Sequence, residues 1–152
     1  MGKPDNTFWL GQLKELERHC NKKGFKVVYK DVLTDAVYYN KKVFIMSNRL
    51  NKEISTYHLL HELGHLKVMG KKKSYKENYD YVFTNFSNAS LTHRFAIVQE
   101  ELDAWREGLI LSRQLGIHVN RRKWEIAKTK CISTYLSWAV RNKERKKQRA
   151  NA

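Results

Sequence analysis

The hydrophobic positions of this chain follow a helical repeat, then short strand-like runs, then helical repeats again. Near the N-terminus, apolar residues recur every three or four positions up to Gly24, which predicts a first helix capped by Asn6 or Thr7. Three runs rich in Val, Tyr, Phe and Ile then predict strands, at residues 25–29, 36–39 and 43–46. This order indicates an α+β domain.

Three more helices are predicted downstream. They cover about residues 52–69, about 92–115, and a last segment that starts after residue 120. Their caps are the polar residues Asn51, Ser90 or Thr92, and Asn120, and Gly70 and Gly116 end the first two. Residues 71–91 lack clean periodicity and are interpreted either as a lid carrying a tyrosine donor or as a surface loop. We expect residues 1–140 to form one domain and residues 141–152 to form a disordered basic tail.

Composition narrows the class of protein. The chain has 152 residues, of which 41% are hydrophobic, enough to bury a core. No apolar run approaches the roughly 20 residues that a membrane-spanning helix needs. No apolar signal region follows the N-terminus, so we expect a cytoplasmic protein. Cys20 and Cys131 are far apart in sequence and are expected to be reduced rather than paired.

The formal net charge of +15 is concentrated in two places, Lys71–Lys73 and Arg121–Arg149. The second segment carries eleven Lys or Arg against two Glu. Two interpretations stay open: nonspecific contact with nucleic acid or an acidic protein, and a solvated basic face that keeps the chain soluble. No helix-turn-helix, zinc-finger or basic-zipper pattern suggests that DNA sequence is read.

The strongest chemical signal is the H-E-x-x-H motif His61–His65, which lies in an apolar helical stretch. Residues four apart share one face of a helix, so both imidazoles can bind one cation. Glu62 then lies beside the cation's water molecule, where it can act as general base. The alternative is a chance spacing of two histidines and a glutamate on an ordinary buried helix.

A catalytic zinc ion usually takes three protein ligands and keeps one position for water. On the next predicted helix, Glu101 shares a stripe with Ile97, Ala104 and Gly108. A carboxylate among apolar and small residues faces inward, where its charge needs a partner or a metal. We therefore predict Glu101 as the third ligand, with Glu100 as the alternative.

The two motifs together resemble the core of ImmA/IrrE-type metallopeptidases, small zincin-like enzymes of bacteria and phages. The resemblance covers roughly residues 40–138 and rests on residues 42–50, on His61–His65 and on the E-x-x-A element Glu101–Ala104. One departure is Trp105, where many relatives carry Asp or Asn after the alanine. The resemblance implies an intracellular protease of a bacterial host or a phage, whose target is often a regulator such as a repressor.

These observations predict a minimal zincin-like metalloprotease fold. A small antiparallel sheet would pack against the motif helix and the helix that bears Glu101, and the C-terminus would be helical. Residues 43–47 are the candidate edge strand to which a peptide substrate would add. His61, His65 and Glu101 would bind Zn²⁺, and Glu62 would be the catalytic base of a gluzincin-type metalloendopeptidase.

Two other classes of function stay open. One is a nucleic-acid-associated protein, which includes a SprT-like protease acting on proteins bound to DNA. The other is a binding module that retains the motif without catalysis. His58 lies one turn before His61 and is interpreted as a packing or supporting residue rather than a fourth ligand. His93 begins the helix that bears Glu101; it could donate to a substrate oxyanion, but it is interpreted as a surface cap.

Overall fold

The computed structural model describes residues 4–71 and 91–151, without the side chains of residues 142–149. Four helices and three strands make up the described chain, in the order α1 (Asn6–Lys22), β1 (Lys26–Lys30), β2 (Ala36–Tyr38), β3 (Val43–Ser47), α2 (Lys52–Gly70), α3 (Leu91–Leu115) and α4 (Arg121–Ala150). The predicted α+β class is confirmed. No helix among the described residues is long and apolar enough to cross a membrane.

The sheet is mixed, so the predicted antiparallel sheet is wrong. Its strand order is β1-β3-β2, with β1 parallel and β2 antiparallel to β3. A tight turn connects β2 to β3. In this turn the Lys42 amide donates to the Tyr39 carbonyl, and Lys42 has a φ of 50°. β3 then lies between the other two strands. The sequence did not predict this order, because a strand's pattern of side chains does not specify its neighbours.

The central position of β3 also overturns the predicted edge strand at residues 43–47. Both hydrogen-bonding edges of β3 are occupied, by β1 and by β2. A substrate peptide therefore cannot add to it. Phe44 and Met46 are buried on the face of β3 that meets the helices, while Val43 and Ile45 are half-buried.

Capping side chains set the start of three helices. The Asn51 side chain accepts from the Ile54 amide at 2.9 Å, and that of Asn120 accepts from the Lys123 amide at 3.1 Å, as predicted. The first helix differs, because its cap is Asp5, whose carboxylate accepts from the Phe8 amide at 2.8 Å. The predicted caps Asn6 and Thr7 lie instead within α1.

Aromatic side chains join the first, second and last helices. The Tyr57 ring makes edge-on contacts with Trp9 and with Trp124, both with centroids 5.7 Å apart. Its hydroxyl accepts from the Asn120 amide at 2.9 Å and donates to Glu53 at 2.8 Å. One buried phenol thus ties the start of α4 to α2.

The last helix continues to Ala150, past the point near Arg141 where the sequence predicts a disordered tail. Lys, Arg, Glu, Gln and Ala dominate this stretch, and all of them favour the helical backbone even without an apolar face. The division of the chain into a domain at residues 1–140 and a tail at residues 141–152 stays a prediction.

The closest contact between helices joins α2 and α3 through two glycines. A Cβ atom on Gly64 would lie 1.9 Å from the Ala104 carbonyl oxygen, and one on Gly108 would lie 2.6 Å from the Leu60 carbonyl oxygen. Side chains at either position would force the backbones apart. The absence of a side chain at Gly64 therefore allows α2 to pack closely against α3.

Replacing Gly64 with alanine should strongly destabilise the protein. The new methyl group cannot fit against the Ala104 carbonyl, so we expect the free energy of unfolding to fall by about 3 kcal/mol or more. Urea denaturation measures the change. The matched control is Gly11→Ala in α1, where nothing lies within 4 Å of the added Cβ. That variant should gain up to about 1 kcal/mol, and equal effects of the two substitutions would contradict the prediction.

Candidate metal centre

The helix α2 places both motif histidines side by side in the protein interior. His61 and His65 are four residues apart, and their ring centroids lie 4.6 Å from each other. Both are buried, with 6% and 8% of their surface exposed. Leu59, Leu60 and Leu63 are buried around them and hold this part of α2 in the core.

The helix α3 brings Glu101 to the same point, as predicted. One carboxylate oxygen of Glu101 lies 3.0 Å from Nε2 of His61, and the other lies 3.4 Å from Nε2 of His65. One ligand atom from each of the three residues lies within 4.8 Å of the others. Two nitrogens and one carboxylate converge in a buried place, so this cluster could hold a metal ion.

Glu100, the alternative third ligand, occupies a different position. Its carboxylate lies 3.5 Å from Nδ1 of His65, on the side of the ring that faces away from Glu101. A carboxylate at this ring nitrogen accepts the Nδ1 proton and leaves the opposite nitrogen free as a ligand. Glu100 therefore supports His65 instead of joining the cluster.

Trp105, the residue that follows Ala104 on α3, contacts the other histidine, His61. Its indole stacks on the His61 ring with centroids 4.4 Å apart and an interplanar angle of 11°. Trp105 is fully buried, so this contact restricts the tilt of the imidazole. Packing by an aromatic ring therefore helps to orient His61.

The electrostatic state of the cluster reflects its burial. Burial would raise the pKa of Glu101, but its contacts with His61 and His65 outweigh this effect and hold the pKa below its usual range. Burial would lower the pKa of His65, but Glu100 and Glu101 raise it well above its ordinary value. The raised pKa of His65 means that a metal ion must compete with a proton for this imidazole.

Glu62 lies next to the cluster with a different electrostatic balance. Burial raises the pKa of its carboxyl, and the charges of Glu101 and Asp35 add to this, while His61 and His65 oppose it. Its carboxylate lies 3.7 Å from Nδ1 of His61. A raised pKa makes this carboxylate a stronger base than an ordinary one, which suits it to accept a proton.

A cleft of about 700 Å³ opens beside the cluster. The segment before β2, residues 50–62 and α4 form most of its walls, and Trp105 of α3 lines it as well. His61 and Glu62 line it from α2, and the exposed apolar side chains Leu33 and Ile126 line it from the two other walls. The cleft gives a ligand direct access to the candidate metal centre.

Cys131 and Tyr135 lie four residues apart on α4, and the structure places both beside the candidate metal centre. Both line the cleft, and the Cys131 sulfur lies 3.9 Å from the Glu101 carboxylate. Burial and then the Glu101 charge raise the pKa of Cys131 to about 12, and the same two causes raise that of Tyr135. Both groups stay protonated. The four-residue spacing of Cys131 and Tyr135 can be seen in the sequence, but their contact with α3 cannot be predicted from it.

The other predicted histidines fall in two different places. His58 contacts the Asp35 carboxylate and lines the cleft, which agrees with a supporting role. His93 is 3% exposed, so the interpretation as a surface cap is wrong. Both cysteines are free, as predicted.

The basic segments offer less free charge than the sequence suggests. Lys71 pairs with Glu107, and Lys72 and Lys73 lie outside the described residues. In α4, Lys123 pairs with Glu53, and Lys128 pairs with Glu125. Contact with nucleic acid stays a prediction, as does the lid at residues 71–91, most of which lies outside the described chain.

Comparison of the chain with protein-family models, with curated proteins and with solved structures returned no match. The resemblance to ImmA/IrrE-type enzymes therefore stays a prediction from the two motifs. The conclusions about the site rest on its own geometry.

Divalent transition-metal ions should stabilise the folded protein through the three-residue cluster. An ion at 100 times its dissociation constant should add about 2.7 kcal/mol to the free energy of unfolding. Thermal unfolding with and without Zn²⁺ measures this, and His61→Ala or Glu101→Ala should abolish the shift. His118→Ala, at an exposed position, is the control and should keep it. An unchanged melting temperature of the parent protein would contradict the prediction.

The same stabilisation should weaken on acidification. The raised pKa of His65 means that its proton competes with the metal more strongly as the pH falls. We expect the apparent metal affinity to decrease from pH 7.5 to pH 5.5 in a calorimetric titration. Affinity that stays constant over this range would show that no proton leaves the cluster on binding.

Proposed function

We propose that this protein is a zinc-dependent metallopeptidase that hydrolyses peptide bonds of an intracellular protein target. The observation that carries the proposal is the convergence of His61, His65 and Glu101 beside an open cleft that Glu62 also lines. A purely structural helix pair has no need for three buried carboxyls, those of Glu62, Glu100 and Glu101, around two histidines.

The donor set favours zinc over the other common ions. Two imidazole nitrogens and one carboxylate are the protein ligands of many catalytic zinc sites, which keep a fourth position for water. Ca²⁺ and Mg²⁺ prefer sites made of oxygen ligands alone. Glu100 behind His65 also fits, since a metal-binding histidine usually donates its other N–H to a carboxylate or carbonyl.

The chain's own residues supply the proton transfers. A zinc ion held by the cluster would polarise a water molecule and the peptide carbonyl. Glu62 accepts a proton from the attacking water and later transfers it to the leaving amine. Its raised pKa supports both steps, because a carboxyl with an ordinary pKa is a weak base and holds a proton poorly at neutral pH.

The cleft supports a polypeptide substrate over a small polar one. Its volume of about 700 Å³ accommodates several side chains, and apolar residues such as Leu33, Ile54 and Ile126 line it. The motif resemblance adds the expectation that the target is a regulator such as a repressor. The cleft itself supports only the broader class of protein or peptide.

Metal content and hydrolysis test the proposal together. Protein purified without an affinity tag should contain close to one zinc per chain by plasma mass spectrometry, and His61→Ala and Glu101→Ala should lose it. Glu62→Gln should keep the zinc but hydrolyse labelled casein or quenched fluorescent peptides about 10²- to 10⁴-fold more slowly. Glu62→Gln is the matched control, because it differs from the parent by one proton-accepting group.

Each result separates the competing functions. Zinc in the parent without any cleavage beyond that of Glu62→Gln would favour a non-catalytic binding module. Absence of tightly bound metal after reconstitution would reject the peptidase. Loss of zinc with His61→Ala but not with Glu101→Ala would move the third ligand to another residue.

A further inference from the structure

We propose that His58, held in place by Asp35, donates a hydrogen bond from Nε2 to the carbonyl oxygen of the peptide bond under attack. The inference rests on the proposed peptidase function and extends it to a residue outside the motif. It follows from the position of His58 in the cleft, from its contact with Asp35, and from the absence of a described partner at its second ring nitrogen.

His58 lies on the same face of α2 as the proposed base. It precedes Glu62 by four residues, a spacing that places side chains next to each other on a helix. Both residues line the cleft, and the His58 side chain keeps 28% of its surface exposed there. The imidazole therefore reaches the space in which the scissile bond must lie.

Asp35 is a fixed and buried partner for this imidazole. Its side chain is only 7% exposed, and one oxygen accepts from the Ser47 amide at the end of β3, at 2.6 Å. The other oxygen contacts Nδ1 of His58. A carboxylate whose position is set by the sheet backbone thus holds the proton on Nδ1 and sets the orientation of the ring.

The opposite nitrogen of His58 is available to a ligand. Within residues 4–71 and 91–151, Nε2 of His58 makes no hydrogen bond. The Trp105 ring lies 6.2 Å away at an interplanar angle of 86° and limits ring rotation on one side. Tyr135 also lines the cleft, but its phenol lies beside Glu101 and so already has an acceptor.

The proposed donation acts on the charge that develops during hydrolysis. Water oxygen forms the new bond to the carbonyl carbon, its proton passes to Glu62, and the π electron pair moves onto the carbonyl oxygen. Because Nδ1 of His58 is held by Asp35, Nε2 donates only when it also carries a proton. That N–H then donates to the carbonyl oxygen and keeps its proton throughout. When the C–N bond breaks, the pair returns from the oxygen and the amine takes the proton from Glu62.

Four variants of the zinc-loaded full-length protein test this role on labelled casein and quenched fluorescent peptides. His58→Ala should lower kcat roughly 10²- to 10³-fold with little change in KM, because the contact forms only in the transition state. His58→Gln retains an N–H donor, so its kcat should fall clearly less than that of His58→Ala. Asp35→Asn should lower kcat about 10- to 100-fold, because the His58 ring is no longer held in its orientation. His118→Ala should match the parent.

Two readouts do not depend on turnover. All four variants should retain close to one zinc per chain, because His58 is not a ligand in this proposal. Nitrogen-15 spectra of the histidine rings should show a proton on Nδ1 of His58 in the parent, and this signature should change in Asp35→Asn.

The outcomes separate the two proposals. A parent protein that hydrolyses nothing rejects the peptidase function, and this inference with it. An active parent with an equally active His58→Ala variant overturns only the role of His58. Loss of zinc in His58→Ala, or a raised KM with unchanged kcat, would also overturn it, because His58 would then be a ligand or a ground-state contact.

Discussion

The close approach of α2 and α3 is the constraint on which the candidate site depends. Gly64 faces the backbone of Ala104, and Gly108 faces the backbone of Leu60, so the two helices meet backbone to backbone. Glu101 lies one turn from Ala104 on α3, and it reaches across to both imidazoles of α2 only because no side chains separate the helices there. Packing geometry and metal-ligand geometry are therefore the same feature of this protein.

The close contact also creates an electrostatic requirement. Three carboxyls, those of Glu62, Glu100 and Glu101, are buried around His61 and His65. Buried charges are costly unless they are paired, and two imidazoles balance three carboxylates only if protons are retained. A bound cation would supply the missing positive charge. The cluster has unfavourable electrostatics without a metal ion and favourable electrostatics with one. This is the physical reason why a bound metal ion is expected to stabilise the folded protein.

Local features of this protein could be predicted from the sequence, and pairings between distant elements could not. The helix periods, the caps Asn51 and Asn120 and the four-residue spacing of the ligands depend on neighbours along the chain. Glu101 was found because an acidic residue on an apolar stripe needs an internal partner. Strand order depends instead on which elements meet, and a run such as residues 43–47 is compatible with either an edge or a central position.

Asp35 illustrates the same limit at the level of the site. In the sequence it is a turn-prone residue between two strands, and nothing in its neighbourhood suggests chemistry. Its importance arises because the β2–β3 hairpin places it against the Ser47 amide and the His58 ring. The support of His58 therefore depends on the antiparallel pairing of β2 with β3, in which Ala36 lies opposite Ile45, and not on the central position of β3. The central position has a separate origin, because it arises from the parallel pairing of β1 with β3.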